Sequence, residues 1–167
     1  MALKDALLPE FDLEMASTRK MLERAPEDAF DWKPHAKSML LGRLATHLAQ
    51  IPAWGSRALT TDSFDFAPPG APQAPAAPLT SRAAVLALFD ENVAGTRAAL
   101  AQASDADLGK SWSLLRGGAV VFTMPKAAVL RTLLFSHIIH HRGQFSVYLR
   151  LRDVPVPGMY GPSADEK

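Results

Sequence analysis

Apolar residues recur at intervals of three and four along four stretches of the chain, the pattern of helices that each bury one face. In the first, roughly residues 5–25, Leu7, Leu8, Phe11, Met15, Thr18, Met21 and Leu22 interleave with Glu10, Glu14, Arg19, Lys20 and Glu23, and Ala25-Pro26 marks the exit. The second, roughly 39–58, carries Leu40, Leu41, Leu44, His47, Leu48, Ile51, Trp54 and Ala58, with Ser38 as its predicted N-cap and Pro52 as a kink or an end. The third, about 81–103, follows Thr80 or Ser81 and turns Val85, Leu86, Leu88, Phe89, Val93, Thr96 and Leu100 inward. The fourth begins at Pro125 and runs to about residue 151, with Val129, Leu130, Leu133, Leu134, His137, His141, Gln144, Phe145, Tyr148 and Leu149 tracing a broad inward face.

The segments between these stretches set the topology. Residues 60–79 hold Pro68, Pro69, Pro72, Pro75 and Pro78, which excludes regular helix or central strand. A loop this long needs a reason. A helix of about 20 residues spans about 30 Å, and an extended crossover can run that whole length. The second and third helices would then lie parallel. Ahead of the fourth helix, Trp112–Leu115 and Ala119–Thr123 flank Arg116-Gly117-Gly118, which predicts a small hairpin or an irregular lid. Phe30 and Trp32 either plug one end of the bundle or, in the case of Trp32, wall the mouth of a pocket. The tail, 153–167, is proline-rich and semi-extended, and Val154, Val156, Met159 and Tyr160 favour its packing back on the body. The expectation is one all-α domain over 1–167, a four-helix bundle with a long crossover between helices two and three.

Composition narrows the chemistry. Lys and Arg total 18 against 17 Asp and Glu, so no basic surface argues for nucleic acid or an anionic membrane. No apolar run is long enough to span a bilayer. Lys4, Asp5, Pro9 and Glu10 interrupt the N-terminus before a signal-peptide core can form, and a cytoplasmic location is expected. Cysteine is absent, which removes thiolate ligands, disulfides and a cysteine nucleophile together. Any metal site must use His, Asp or Glu.

Five histidines are present, and three fall inside helical stripes. His137 and His141, four apart, stack on one helix face at the spacing two imidazoles need to share an ion. His47, in the second helix, is seven residues from both Leu40 and Trp54 and shares their face. Alone it reads as a hydrogen-bonded core residue; facing the other two it completes a three-histidine set. Such a set suits zinc, nickel or iron. His140 competes with His141, since a three-residue step lands near the same face. The stripe of Leu134, Gln144 and Tyr148 favours His141. His35 lies in a loop and reads as exposed. Ile138 stands where a zincin needs glutamate, and the carboxylates of a di-iron bundle are missing. No proton-transfer carboxylate is evident; Asp90 and Glu91 are the nearest candidates. Trp32, Trp54, Gln144 and Tyr148 are candidates to shape the pocket.

Leu44-Ala45-Thr46-His47-Leu48, Thr123-Met124-Pro125, Ser136-His137-Ile138-Ile139-His140-His141-Arg142-Gly143-Gln144 and the tail Val154-Pro155-Val156-Pro157-Gly158-Met159-Tyr160-Gly161-Pro162-Ser163 resemble the DinB-like family of metal-binding proteins over nearly the whole chain. The resemblance implies an up-down-down-up bundle. It also implies one divalent ion, often nickel or zinc, held by His47, His137 and His141. Homodimers are common in that family. Some branches are thiol transferases or isomerases that use a low-molecular-weight thiol; others are described only as metal-dependent hydrolases. A metal-dependent enzyme on a small-molecule substrate is therefore expected, by thiol transfer or hydrolysis, with iron or manganese as further metals. The alternative is a non-catalytic metal-binding or stress-response bundle.

Overall fold

The computed structural model describes residues 2–70 and 77–166. Its helical part begins with α1 (Leu3–Leu22), where Asp5 accepts from the Ala2 backbone N–H at 2.9 Å and Leu7, Phe11, Met15, Thr18 and Leu22 turn inward. After Pro26 a 3₁₀ turn (Glu27–Ala29) leads to Phe30, which is buried, and Trp32, which packs on the core edge. The next rod is two helices, α2 (Leu41–Gln50) and α3 (Pro52–Thr60). Pro52 cannot donate a backbone hydrogen bond, yet Ile51 keeps right-handed helical angles, so the rod continues across the break. Its start is Leu40, which provides no side-chain cap; Ser38 is not the cap.

The crossover then leads to α4 (Arg82–Gln102), capped by Ser81 Oγ accepting from the Ala84 N–H at 3.2 Å. Within the crossover, Pro72 and Pro75 lie outside the described residues. Matched contacts fix the directions. Asn92 reaches the Ala49 carbonyl and Thr96 the Pro52 carbonyl, so α4 runs parallel to α2 and α3. Arg97 meets Asp12 and Arg19 meets Asp90, so α1 is antiparallel to α4. Thr96 enters the α3 hydrogen-bond ladder itself: its hydroxyl donates to Pro52 O at 2.6 Å and accepts from Ser56 N–H at 2.9 Å. Gly55 permits this approach, because a Cβ there would lie 2.4 Å from Thr96 Cγ2.

The chain is not an all-α bundle. A short helix α5 (Asp105–Gly109) precedes β2 (Ser111–Arg116) and β3 (Ala119–Pro125), an antiparallel pair joined at Gly117 and Gly118, whose φ of 59° and 80° suit a tight hairpin turn. The crossover contributes β1 (Ser63–Asp65), parallel to β2, giving a three-stranded mixed sheet in the order β1-β2-β3. Alternation explains why it forms. Trp112, Leu114, Phe122, Met124 and Phe64 gather with Ala58 and Val129 in a small second core, and Trp112 is fully buried. Asp65 holds the turn by accepting from Ala67, Gly117 and Gly118 N–H. A three-residue strand beside prolines carries no sequence signal of its own; the hairpin creates it by pairing.

The last rod contains α6 (Lys126–Val129), a π-helical segment (Leu130–Ser136) and α7 (His137–Leu151), with Pro125 as the N-cap of α6. Arg131 pairs with Glu10 and Arg142 with Glu14, so the rod is parallel to α1. Tyr148 donates to the Met39 carbonyl, near the start of α2, which makes α7 antiparallel to α2. The π segment alters the expected face. A π turn inserts one residue into an α-helix and steps the phase of everything after it by one. Phe145, Tyr148 and Leu149 are buried as expected, but Ile138 and Arg142 take the core positions expected of His137 and His141. The histidines are thereby placed on the flank of the core, toward α2, and Gln144 is exposed. Val154, Val156 and Met159 pack back on the main core. Among the described residues no helix is long and apolar enough to cross a membrane.

Candidate metal centre

His47 projects from the last turn of α2 at the seam with α7, His137 is the first residue of α7, and His141 follows one turn later. The ring centroids stand 5.0 Å apart for His47 and His137, 4.5 Å for His47 and His141, and 4.7 Å for His137 and His141. One ring nitrogen from each lies within 4.8 Å of the other two. The Nε2 atoms of His47 and His137 face each other at 3.2 Å. All three rings are half-buried.

The tautomers follow from the remaining contacts. His141 Nδ1–H donates to Gln144 Oε1 at 2.8 Å, which leaves the Nε2 lone pair free to face the cluster. The Gln144 amide in turn donates to His140 Nε2 at 3.0 Å. Gln144 is therefore a strut that fixes the His141 ring, and His140 sits behind it, exposed, outside the three-nitrogen group. His137 is held from the other side by a hydrogen bond with the Leu133 backbone. Leu133 lies inside the π segment, four residues before His137.

Electrostatics favour neutral imidazoles. Burial first, then the neighbouring His141, His137 and Arg43, push His47 down to about 4. Burial also lowers His137 and His141, and the hydrogen bond to Gln144 partly offsets this for His141. Neutral imidazole is the form that ligates. In the metal-free chain the 3.2 Å His47–His137 contact is a hydrogen bond whose donor is set by the tautomer, and a cation in place of that proton would meet the ring lone pairs. The donor set fits a divalent ion.

The other expected residues are distributed around this centre. Tyr148 and Gln144 line an open groove of ≈ 440 Å³ with Lys37, Ser38, Met39 and Val147. Trp32 meets Tyr148 edge-on at 5.8 Å and lies under Arg152, so it braces this side. Trp54 is not brought to the histidines; it packs on Phe64 at 5.4 Å. Asp90 is committed to Arg19, and His35 is exposed with its Nδ1 accepting from Lys37 N–H. Arg43 was missed as a member of the site, although its place one turn before His47 could have marked it. The Leu133 carbonyl had no such signal, because a π turn has no spacing rule.

A helical body carrying a small sheet, with three histidines converging between two of its helices, defines the class. The chain belongs to the DinB family, which matches residues 3–167. It is 29% identical over 166 residues to the Bacillus subtilis protein YrdA, across 97% of this chain and 90% of that protein. Two solved structures share the fold: a DinB-like protein of Bacillus cereus, with a TM-score of 0.71 and 23% identity over 95% of this chain and 98% of the other, and the DinB-like YjoA of B. subtilis, with 0.69 and 17% over 97% and 99%.

Proposed function

We propose that this chain binds one divalent ion through His47, His137 and His141 and acts as a metal-dependent enzyme on a small molecule. The carrying observation is the convergence of three neutral imidazole nitrogens, with His141 held in its tautomer by Gln144. Imidazole donors without thiolate or carboxylate suit nickel or zinc best, with iron and manganese as further candidates. An ion held there supplies Lewis acidity, which lowers the pKa of a thiol or water that reaches it.

The chain's own residues support transfer of a substrate thiol over hydrolysis. Among the described residues no carboxylate joins the three-histidine group, and Asp90 is paired with Arg19 on another face. With no base of its own beside the group, ionisation would rest on the metal alone, a smaller step for a thiol, whose pKa is ordinarily about 8.5, than for water, at about 15.7. The three histidines are only half-buried and a groove lies beside Gln144, which supports turnover over a closed, purely structural site.

The test is metal analysis of the full chain equilibrated with nickel, zinc, iron or manganese, followed by a thiol-substrate screen. About one ion per chain is expected. Loss of an orienting partner alone costs about 10–100-fold in affinity, so His47→Ala or His141→Ala should cost more than about 100-fold. A wild-type chain that takes up none of these ions overturns the proposal, and so does turnover that survives the His47→Ala, His141→Ala pair.

A further inference from the structure

Along α2 and α3 one line of side chains is neither core nor open surface. Arg43, His47, Gln50, Trp54 and Arg57 follow one another at steps of four, three, four and three, and each is half-buried. Their neighbours Leu44, Leu48, Ile51 and Ala58 are fully buried. That spacing places all five on one helix face. Because Ile51 keeps helical angles ahead of Pro52, the face is continuous through the break.

At its far end the face opens into a cleft of ≈ 290 Å³ lined by Gln50, Ala53, Trp54, Arg57, Phe64 and Asn92. The Arg57 guanidinium lies 3.9 Å from the Phe64 ring centroid and 5.4 Å from that of Trp54. The two rings meet edge-on at 86°. Stacking of this kind fixes the guanidinium plane and leaves its in-plane N–H donors available. Five other arginines, Arg19, Arg97, Arg131, Arg142 and Arg150, each pair with a carboxylate, while Arg116 and Arg152 each lie over a single ring. Arg57 makes no ion pair among the described residues, although it is clamped in a cleft and flanked by two amide side chains.

We infer that Arg57, with Trp54, is the distal anchor for a substrate's oxyanion, a carboxylate or a phosphate. The substrate's apolar body would lie on the Trp54 ring, and its reacting end would reach the histidines. Ten residues separate His47 from Arg57, roughly 15 Å along the helix. The substrate class is thus an extended small molecule with an anionic end, not a compact neutral one. A planar guanidinium fork with free donors is the group that reads such an oxyanion bidentately. The placement of the reacting end rests on the metal reading above; the anchor itself does not.

The probe is benzoate, with phenyl phosphate and benzyl alcohol beside it, titrated into the metal-free full chain. The readout is the Trp54 indole N–H signal in a ¹H–¹⁵N spectrum, assigned with Trp54→Phe. Benzoate or phenyl phosphate should shift that signal saturably, and the stronger of the two identifies the oxyanion. Benzyl alcohol should bind at least about tenfold more weakly, the worth of a charge-assisted hydrogen bond. Arg57→Gln should weaken the anion by a similar factor, and Arg57→Lys, which keeps the charge without the fork, should weaken it less. Equal binding of benzyl alcohol and benzoate overturns the inference. So does equal anion binding by Arg57→Gln and wild type, or no response to either anion. Nickel titration of the same samples keeps the two readings apart, since a chain that refuses nickel while Trp54 still responds overturns only the metal proposal.

Discussion

Two neighbours on α7, His141 and Arg142, lead into polar clusters of opposite construction. Arg142, 3% exposed, donates to the Glu14 carbonyl at 3.0 Å, to Thr18 Oγ1 at 3.3 Å and to Tyr160 Oη at 2.6 Å, and pairs with the Glu14 carboxylate at 2.7 Å. The Tyr160 hydroxyl closes the circuit by donating to Glu14. Donors meet acceptors throughout, and the cluster needs nothing from outside. One residue earlier, His141 joins His47 and His137 in a cluster of three converging ring nitrogens, with the His47–His137 contact at 3.2 Å taking its donor from the ring tautomer alone. The closed cluster ties α1, α7 and the tail together. The open one is the candidate site, because its converging nitrogens suit an ion.

The contrast predicts different failures. Breaking the closed cluster from one side, by Glu14→Ala or Arg142→Met, leaves a buried charge without its partner and should cost about 3–5 kcal/mol in urea denaturation. Removing both charges together in a Glu14→Leu, Arg142→Met pair should recover part of that loss. If the single changes cost under about 1 kcal/mol, the cluster is no anchor. In the open cluster, Gln144→Ala should leave stability within about 0.5 kcal/mol, since Gln144 is exposed, yet lower nickel affinity by about 10–100-fold as His141 loses its orienting partner. An unchanged affinity would mean that the strut holds nothing.

This division was only half legible in the sequence. The spacing of His137 and His141, and the place of His47 on an apolar face, were enough to bring the three together, because helix periodicity is a rule that holds without tertiary context. The same rule misassigned part of the face beyond Leu134, while Phe145, Tyr148 and Leu149 are buried as it expected. It has no way to register the π segment, so Ile138 and Arg142 were overlooked as core and Gln144 was turned inward. Arg142 was hidden for a second reason: a buried arginine is readable only from its partners, and Glu14 and Tyr160 are distant in sequence. The sheet failed differently. Trp112 to Met124 alternate visibly, but β1 exists only because β2 offers it an edge, and Ser63-Phe64-Asp65 is too short to announce itself.

The two clusters also part in their response to pH. His47 sits at about 4 in the folded chain against an ordinary 6.5, so between those values the unfolded chain binds the extra proton. Stability of the metal-free protein from this residue is fully present above pH 6.5 and is lost as pH falls through about 4. Thermal unfolding of wild type should therefore decline across that window, and His47→Ala should flatten the decline. An identical slope in both would show that the proton is taken up elsewhere. Bound metal should be released over the same range, since protonated imidazole cannot ligate.

The smallest effect tests whether the closed cluster is one unit or two. Tyr160 is 68% exposed as a residue, yet its hydroxyl reaches both Arg142 and Glu14. Tyr160→Phe removes one hydroxyl and leaves the Arg142–Glu14 pair in place, so the loss should be about 1 kcal/mol, at the low end for a bond to charged partners. The effect should be local as well. Hydrogen exchange should quicken at Val156, Gly158 and their neighbours, while amides around Glu14 and Arg142 keep their protection. Exchange that quickens equally in α1 and α7 would show that the tyrosine is integral to the ion pair, and the tail would then be part of the core and not a strap laid over it.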